Sequence, residues 1–155
     1  MKKLVSVLIA LAVVALSVPS FADTVTKFKG GVKDIMTSPL QVSDNDPGKM
    51  NAVLNVAADV SKYYSENGDE VEIQIVAFNA GLTMLRADKS PVVERLKSFK
   101  QGMPNVSFIA CENTLDSLTR AEGKETPLVD NAKRITAGVV TLVELGEKGW
   151  TIVRP

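Results

Sequence analysis

Short apolar runs alternate with helical patterns along most of the chain, and this alternation constrains the fold more than any other feature. Val71–Phe78 and Val106–Ala110 are mainly apolar and bounded by turn residues, which is typical of buried strands. Apolar residues recur at helical spacing from Met50 to Tyr64, after Pro91 and after Gly138. We therefore predict a three-layer α/β/α sandwich on a mainly parallel sheet. About five strands are predicted, the other three being Leu40–Ser43, Lys133–Ala137 and Trp150–Val153.

The first 22 residues have the pattern of a secretory signal peptide. Lys2 and Lys3 precede an apolar run from Leu4 to Val18, and the small residues of Ser20-Phe21-Ala22 suit a cleavage site. The run is shorter than the roughly 20 residues that span a bilayer as a helix. We expect cleavage after Ala22 and a periplasmic protein with no membrane attachment; an uncleaved membrane anchor is the alternative.

Cleavage after Ala22 removes two of the 18 basic residues and no acidic one, and leaves 133 residues with a net charge of −2. The predicted domains are a signal peptide over residues 1–22, an N-terminal arm over residues 23–39 with a short strand near Val25–Phe28, and an α/β domain over residues 40–155.

The composition excludes several chemistries. The chain has no His and one Cys, so a Ser-His-Asp triad, a Cys-His dyad, a His-ligated metal, a disulfide within one chain and a Cys-cluster metal site are all excluded. The net charge is zero and no basic cluster occurs, which argues against nucleic acid as a partner. The chain also lacks the phosphate-binding loop that a flavin or nucleotide enzyme requires, which argues against that class of enzyme. We expect neither a metal nor a cofactor.

Cys111 is the strongest candidate for chemistry. It directly follows a predicted buried strand and precedes a predicted helix, and sites in parallel sheets form at the carboxyl ends of the strands. Amide groups and the helix dipole at such a junction lower the pKa of a thiol. We expect a partly exposed, anion-stabilised thiol, with Arg86 as a distant cation that the fold could bring close. The alternative is that Cys111 is a small buried apolar residue.

Polar residues at the predicted strand ends are candidate binding residues. Asn79 and Asn113 could donate to a sulfur anion or an oxyanion, although turns and helix caps also favour Asn. Asp44 could act with Asp46 as an acid–base pair, or both could be turn and cap residues. Ala80-Gly81 is a weak anion nest. The predicted binding residues are Asn79, Gly81, Asn113, Thr114 and Asp44.

Five segments in order resemble the DsrE/DsrF family, in its secreted branch. They are Leu40–Pro47, Val76–Leu82, Phe108–Leu115, Ile135–Val140 and Leu145–Trp150, and Cys111-Glu-Asn-Thr-Leu115 is the most specific part. The resemblance implies an α/β/α sandwich on a parallel sheet, assembled as trimers or hexamers. It also implies sulfur relay as a persulfide on one Cys, a role that would fall to Cys111. The relay members are cytoplasmic and often have dedicated partners, whereas a signal peptide puts tRNA out of reach.

Two functions follow from these observations. The first is a periplasmic sulfur carrier that works through Cys111 with a sulfur donor and an acceptor protein, and is more a carrier than a complete enzyme. The alternative is a non-catalytic, homo-oligomeric binding or assembly module in which Cys111 is structural. The accessibility of the thiol discriminates between them.

Overall fold

The computed structural model describes residues 36–155, all of which belong to one compact unit. The predicted signal peptide, its cleavage site and the strand near Val25–Phe28 lie outside the described residues. Within residues 36–155, no helix combines the length and the apolar character that crossing a membrane requires.

Four strands form one sheet in which every neighbouring pair is parallel. They are β1 (Met36–Val42), β2 (Val71–Ala77), β3 (Val106–Cys111) and β4 (Ala132–Ile135), in the spatial order β1-β2-β3-β4. The predicted α/β fold on a parallel sheet is confirmed, with four strands in place of about five. The predicted strand Trp150–Val153 is the difference: it forms only an isolated parallel bridge between Val153 and Leu40 at the outer edge of β1.

Four α-helices and one 3-10 segment complete the described fold. They are α1 (Pro47–Glu66), the 3-10 segment (Asn79–Leu85), α2 (Val93–Gly102), α3 (Glu112–Glu122) and α4 (Gly138–Glu147). Helix α1 begins where Asp46 accepts hydrogen bonds from the amides of Gly48 and Lys49, which is normal N-cap chemistry. Helix α3 has Cys111 as its N-cap residue and ends at Gly123, whose φ of 67° is the left-handed conformation that favours glycine.

The two faces of the sheet are covered unequally. Right-handed crossovers between sequentially ordered parallel strands place their connecting helices on one face. That face holds the larger core, which includes Leu54 of α1, Leu96 of α2 and Leu115 of α3. Helix α4 follows β4 and packs against β2 and β3 on the other face. There the core is small and consists of Val76, Phe78, Ile109, Cys111 and Leu142, with Ile135 packed against it.

Candidate functional site

A cavity of about 580 Å³ lies at the carboxyl ends of β2, β3 and β4. The 3-10 segment, α3 and α4 all begin at this edge, and residues from the first two turns of these elements line the open cavity. Cys111 has the one ionisable side chain in its lining. The lining residues are Phe78, Asn79, Ala80, Cys111, Asn113, Thr114, Ser117, Leu118, Ala137, Gly138, Val139 and Val140. Of the predicted binding residues, the fold brings Asn79, Asn113 and Thr114 together with Cys111 here.

Cys111 is the last residue of β3, and α3 begins at the next residue. The residue is only 5% exposed, so the expectation of a partly exposed thiol is wrong. The reason is α4, which packs over this end of the sheet and encloses Cys111 with Val76 and Leu142. Cys111 therefore belongs to the smaller core and also borders the cavity.

The amide of Gly138 donates a hydrogen bond of 3.3 Å to the sulfur of Cys111. Gly138 is the first residue of α4, while Cys111 itself caps α3, so two helix N-termini converge on one sulfur atom. The first-turn amides of a helix have no partners within the helix, and its dipole places partial positive charge at this end. Both helices therefore favour a negative charge on Cys111.

Two opposing effects act on the pKa of Cys111. Burial raises it, because a thiolate loses hydration in an apolar environment. The amides of Gly138, Thr114 and Asn113 and the hydroxyl of Thr114 lower it, and together they outweigh burial. The net result is a thiol with a pKa below its ordinary value.

Thr114 links the thiol to the 3-10 segment. Its Oγ1 accepts a hydrogen bond of 3.0 Å from the amide of Asn79. Asn79 has a φ of 49°, the left-handed conformation that Asn adopts more readily than most residues. The amide of Asn113 donates to the carbonyl oxygen of Thr136 at 3.3 Å, which joins the start of α3 to the segment that follows β4.

Asp44 and Gly81, the other two predicted binding residues, are not among the residues that line this cavity. Asp44 forms ion pairs with Lys49 at 2.5 Å and Arg154 at 3.7 Å, and the hydrogen bond from Lys49 holds the pKa of this carboxyl below its ordinary value. Asp44 is therefore ionised and paired, and Asp46 caps α1, so the two do not form an acid–base pair. Gly81 is buried against β1, where an added Cβ would overlap the carbonyl oxygen of Val42.

Arg86 does not serve as a cation for Cys111. It is 3% exposed and donates to Glu122 at 2.6 Å and to Asp88 at 2.9 Å. These contacts fasten the end of the 3-10 segment to the end of α3. Within residues 36–155, no three His, Cys, Asp or Glu side chains are grouped so that they could hold a metal ion.

Gly138 is the site residue whose role was not predicted. A Cβ at this position would lie 3.2 Å from the Cβ of Cys111 and 3.2 Å from Cγ1 of Val76, so glycine allows α4 to approach the thiol closely. The sequence does contain a signal, because Ala137-Gly138 stands at a predicted strand end and a glycine begins the helix. That signal cannot show which side chain the glycine contacts.

The fold and the cavity define the class of molecule: an α/β protein with a parallel sheet and one buried thiol at the carboxyl edge of that sheet. No protein-family model matches the chain, and no curated protein does. The chain is similar to the solved structure of MTH1491, a protein of unknown function from Methanobacterium thermoautotrophicum, with a TM-score of 0.65 and 23% sequence identity. The match covers 77% of this chain and 99% of MTH1491. This likeness supports the α/β fold.

Proposed function

We propose that this protein is a periplasmic sulfur carrier of the DsrE/DsrF type, in which Cys111 holds a transferable sulfur as a persulfide. The observation that carries the proposal is the convergence of two helix N-termini on the thiol, with the Gly138 amide 3.3 Å from the sulfur. The lowered pKa of Cys111 raises the fraction of thiolate, which is the nucleophilic form. The neighbouring cavity of about 580 Å³ has room for an added sulfur atom.

The transfer step balances without an external oxidant or reductant. The Cys111 thiolate attacks the outer sulfur of a donor persulfide, R–S–SH. A bond forms between the Cys111 sulfur and the outer sulfur, the S–S bond of the donor breaks, and the donor leaves as the thiolate R–S⁻. An acceptor thiolate then attacks the outer sulfur and releases Cys111 as a thiolate. Both partners are supplied from outside the chain, so the protein is a carrier rather than a complete enzyme.

Intact mass of the protein purified from periplasm tests the proposal. We expect a species about 32 Da heavier than the unmodified chain, which a reductant converts to the unmodified mass, as for a persulfide. A Cys111→Ser variant purified in parallel is the control and should lack this species. A wild-type protein that never carries the added mass, even after incubation with a persulfide donor, would contradict the carrier function.

The compartment and the assembly state belong to the same proposal and have separate tests. The signal-peptide pattern of residues 1–22 supports export, and we expect the exported protein to begin at Asp23. N-terminal sequencing that finds Met1 would refute cleavage. The DsrE/DsrF resemblance supports a homo-oligomer, a trimer or hexamer, and a monomer by light scattering at micromolar concentration would refute that part.

A binding or assembly module with a structural Cys111 is the second candidate, and the burial of the thiol favours it. Cys111 is 5% exposed and packs in the smaller apolar core. The neighbouring Val139 and Val140 are 51% and 54% exposed, which is apolar surface that a partner could cover. Complete protection of Cys111 from iodoacetamide in the native protein, together with the absence of the added sulfur, would select this function.

A further inference from the structure

Arg120 is the arginine of α3, and no carboxylate in the described part of the chain pairs with it. Its guanidinium donates a hydrogen bond of 3.1 Å to Oγ of Ser117. Asp116 stands four residues before Arg120, a spacing at which acidic and basic side chains on a helix can pair. Among residues 36–155, however, Arg120 forms no ion pair with Asp116 or with any other acid. Its positive charge is therefore available to an anion from outside the chain.

Ser117 places that charge next to the cavity. Its hydroxyl accepts from Arg120 and donates to the carbonyl oxygen of Asn113 at 2.9 Å. Ser117 and Asn113 both line the cavity that Cys111 borders. The side chains of a helix tilt toward its N-terminus, which explains how Arg120 reaches back to Ser117. The guanidinium thus adjoins a wall of the cavity, and no acidic side chain is among the lining residues.

The spacing between the thiol and this charge suits a small molecule. Ser117 comes six residues after Cys111, which corresponds to about 9 Å along the axis of α3. An extended tripeptide has about the same length, at roughly 3.3–3.6 Å per residue. The cavity volume of about 580 Å³ also lies within the range of roughly 300–1,000 Å³ that is usual for small-molecule sites. A thiol compound of this size can place its sulfur at Cys111 and its far end near Arg120.

The chemistry of the two walls indicates what that far end carries. A guanidinium has five N–H donors in a planar fork that matches the two oxygens of a carboxylate, and the bond to Ser117 leaves donors for such a group. The wall formed by α4 presents Val139 and Val140, which suit an uncharged part of a ligand.

We propose that Arg120 is a specificity-determining residue, which binds a carboxylate of the sulfur donor and so selects a low-molecular-weight persulfide of about tripeptide size. This inference rests on the proposed function, since it names the class of donor for the same thiol. The transfer step itself is unchanged. The carboxylate stays on the donor, which leaves as the thiolate R–S⁻ after its outer sulfur has bonded to Cys111.

Binding of S-methylglutathione, an unreactive tripeptide thioether with two carboxylates, tests the proposal in the full native chain. Isothermal titration calorimetry gives its dissociation constant. We expect Arg120→Gln, which removes the charge, to raise that constant roughly three- to tenfold, the effect of one charge-assisted hydrogen bond at an exposed site. Arg120→Lys keeps the charge without the fork and should give an intermediate value. Lys124→Gln is the matched control, because Lys124 is an exposed base just after α3 that does not line the cavity, and it should retain the wild-type constant.

Two further measurements locate the probe and test the donor. The amide resonances of Asn113 and Gly138 should shift when S-methylglutathione binds, because both residues line the cavity. Glutathione persulfide should add sulfur to Cys111 faster than its diethyl ester, whose carboxylates are blocked, and Arg120→Gln should remove that difference. Mass spectrometry follows the added sulfur of about 32 Da.

A wild-type protein that does not bind S-methylglutathione would overturn the proposal, as would an unchanged dissociation constant in Arg120→Gln or an equal rise in Lys124→Gln. Binding that leaves the Asn113 and Gly138 resonances unmoved would overturn it too. Circular dichroism checks that each variant is folded, and Arg120→Met replaces Arg120→Gln if that variant does not fold. A protein that binds the probe through Arg120 but takes up sulfur from no donor would refute only the carrier function. A protein that takes up sulfur equally from both donors would refute only the role of Arg120.

Discussion

Replacement of Gly138 by Ala tests how closely α4 must approach the thiol. The added Cβ would meet the Cβ of Cys111 and Cγ1 of Val76 at 3.2 Å each, and the Cβ of Phe78 at 3.6 Å. All three neighbours belong to the small core beneath α4 and cannot move freely. Overpacking of this kind costs about 1–3 kcal/mol. The helix penalty of glycine applies to a helix interior, whereas Gly138 is the first residue of α4, so we expect little compensation and a net loss of about 1–3 kcal/mol.

Gly146→Ala is the matched control because it makes the same substitution in the same helix. There the nearest neighbour of the added Cβ is Cδ1 of Ile152 at 3.6 Å, an ordinary van der Waals contact. We expect Gly146→Ala to be unchanged or more stable by up to about 1 kcal/mol. Urea unfolding followed by circular dichroism gives both free energies of unfolding.

The same pair of variants separates packing from thiol chemistry. In Gly138→Ala, the new methyl group should displace α4 and lengthen the 3.3 Å hydrogen bond from residue 138 to Cys111. The pKa of the thiol should then rise toward its ordinary value. The thiolate absorbance in the ultraviolet measures that pKa, and Gly146→Ala should leave it unchanged. Equal stabilities and equal pKa values in the two variants would refute the close approach of α4.

Three further predictions concern other parts of the fold. Arg86 holds the pKa of Glu122 down to about 2, from 4.5. This carboxylate should therefore stabilise the fold fully above pH 4.5 and lose that effect as the pH falls toward 2. In Glu122→Gln, the free energy of unfolding measured with urea should depend less on pH between 4.5 and 2. Gly81→Ala should cost more stability than Gly138→Ala, because its Cβ would overlap the backbone carbonyl of Val42; an equal or smaller loss in thermal unfolding would contradict the geometry. Thr126 is 1% exposed and its hydroxyl has no partner among the described residues, so Thr126→Val should match or exceed wild-type stability; a clear loss would reveal a partner for that hydroxyl.

The fold class could be predicted because its signals are local. The alternation of Val71, Ile73 and Ile75 with polar residues, and the apolar run from Val106, both depend on neighbours in sequence. The last strand was predicted by the same logic and is wrong in extent, since only Val153 pairs with β1. Edge pairing depends on where the chain lies after Gly149, and no local pattern contains that information.

Part of the candidate site could be predicted from the sequence, because the topology of a parallel sheet determines which strand ends meet. Parallel strands bring their carboxyl ends to one edge, which is why Cys111, Asn79, Asn113 and Thr114 share a cavity. Asp44 also follows a strand, yet it does not line the cavity and instead forms an ion pair with Lys49 in the first turn of α1. The exposure of Cys111 could not be predicted, because it depends on where α4 packs.

Helix α4 therefore decides both the burial of the thiol and its acidity. The larger core covers one face of the sheet with α1, α2 and α3, whereas α4 is the α-helix that packs on the other face of the described fold. Its first residue donates to the sulfur, and Val139 and Val140 in its first turn border the cavity. A displacement of α4 would expose Cys111 and weaken the Gly138 hydrogen bond at the same time. Accessibility and thiolate stabilisation are thus opposed in this protein, and under the proposed carrier function we expect a sulfur donor to reach the thiol through the cavity while α4 stays in place, where the thiol is more acidic.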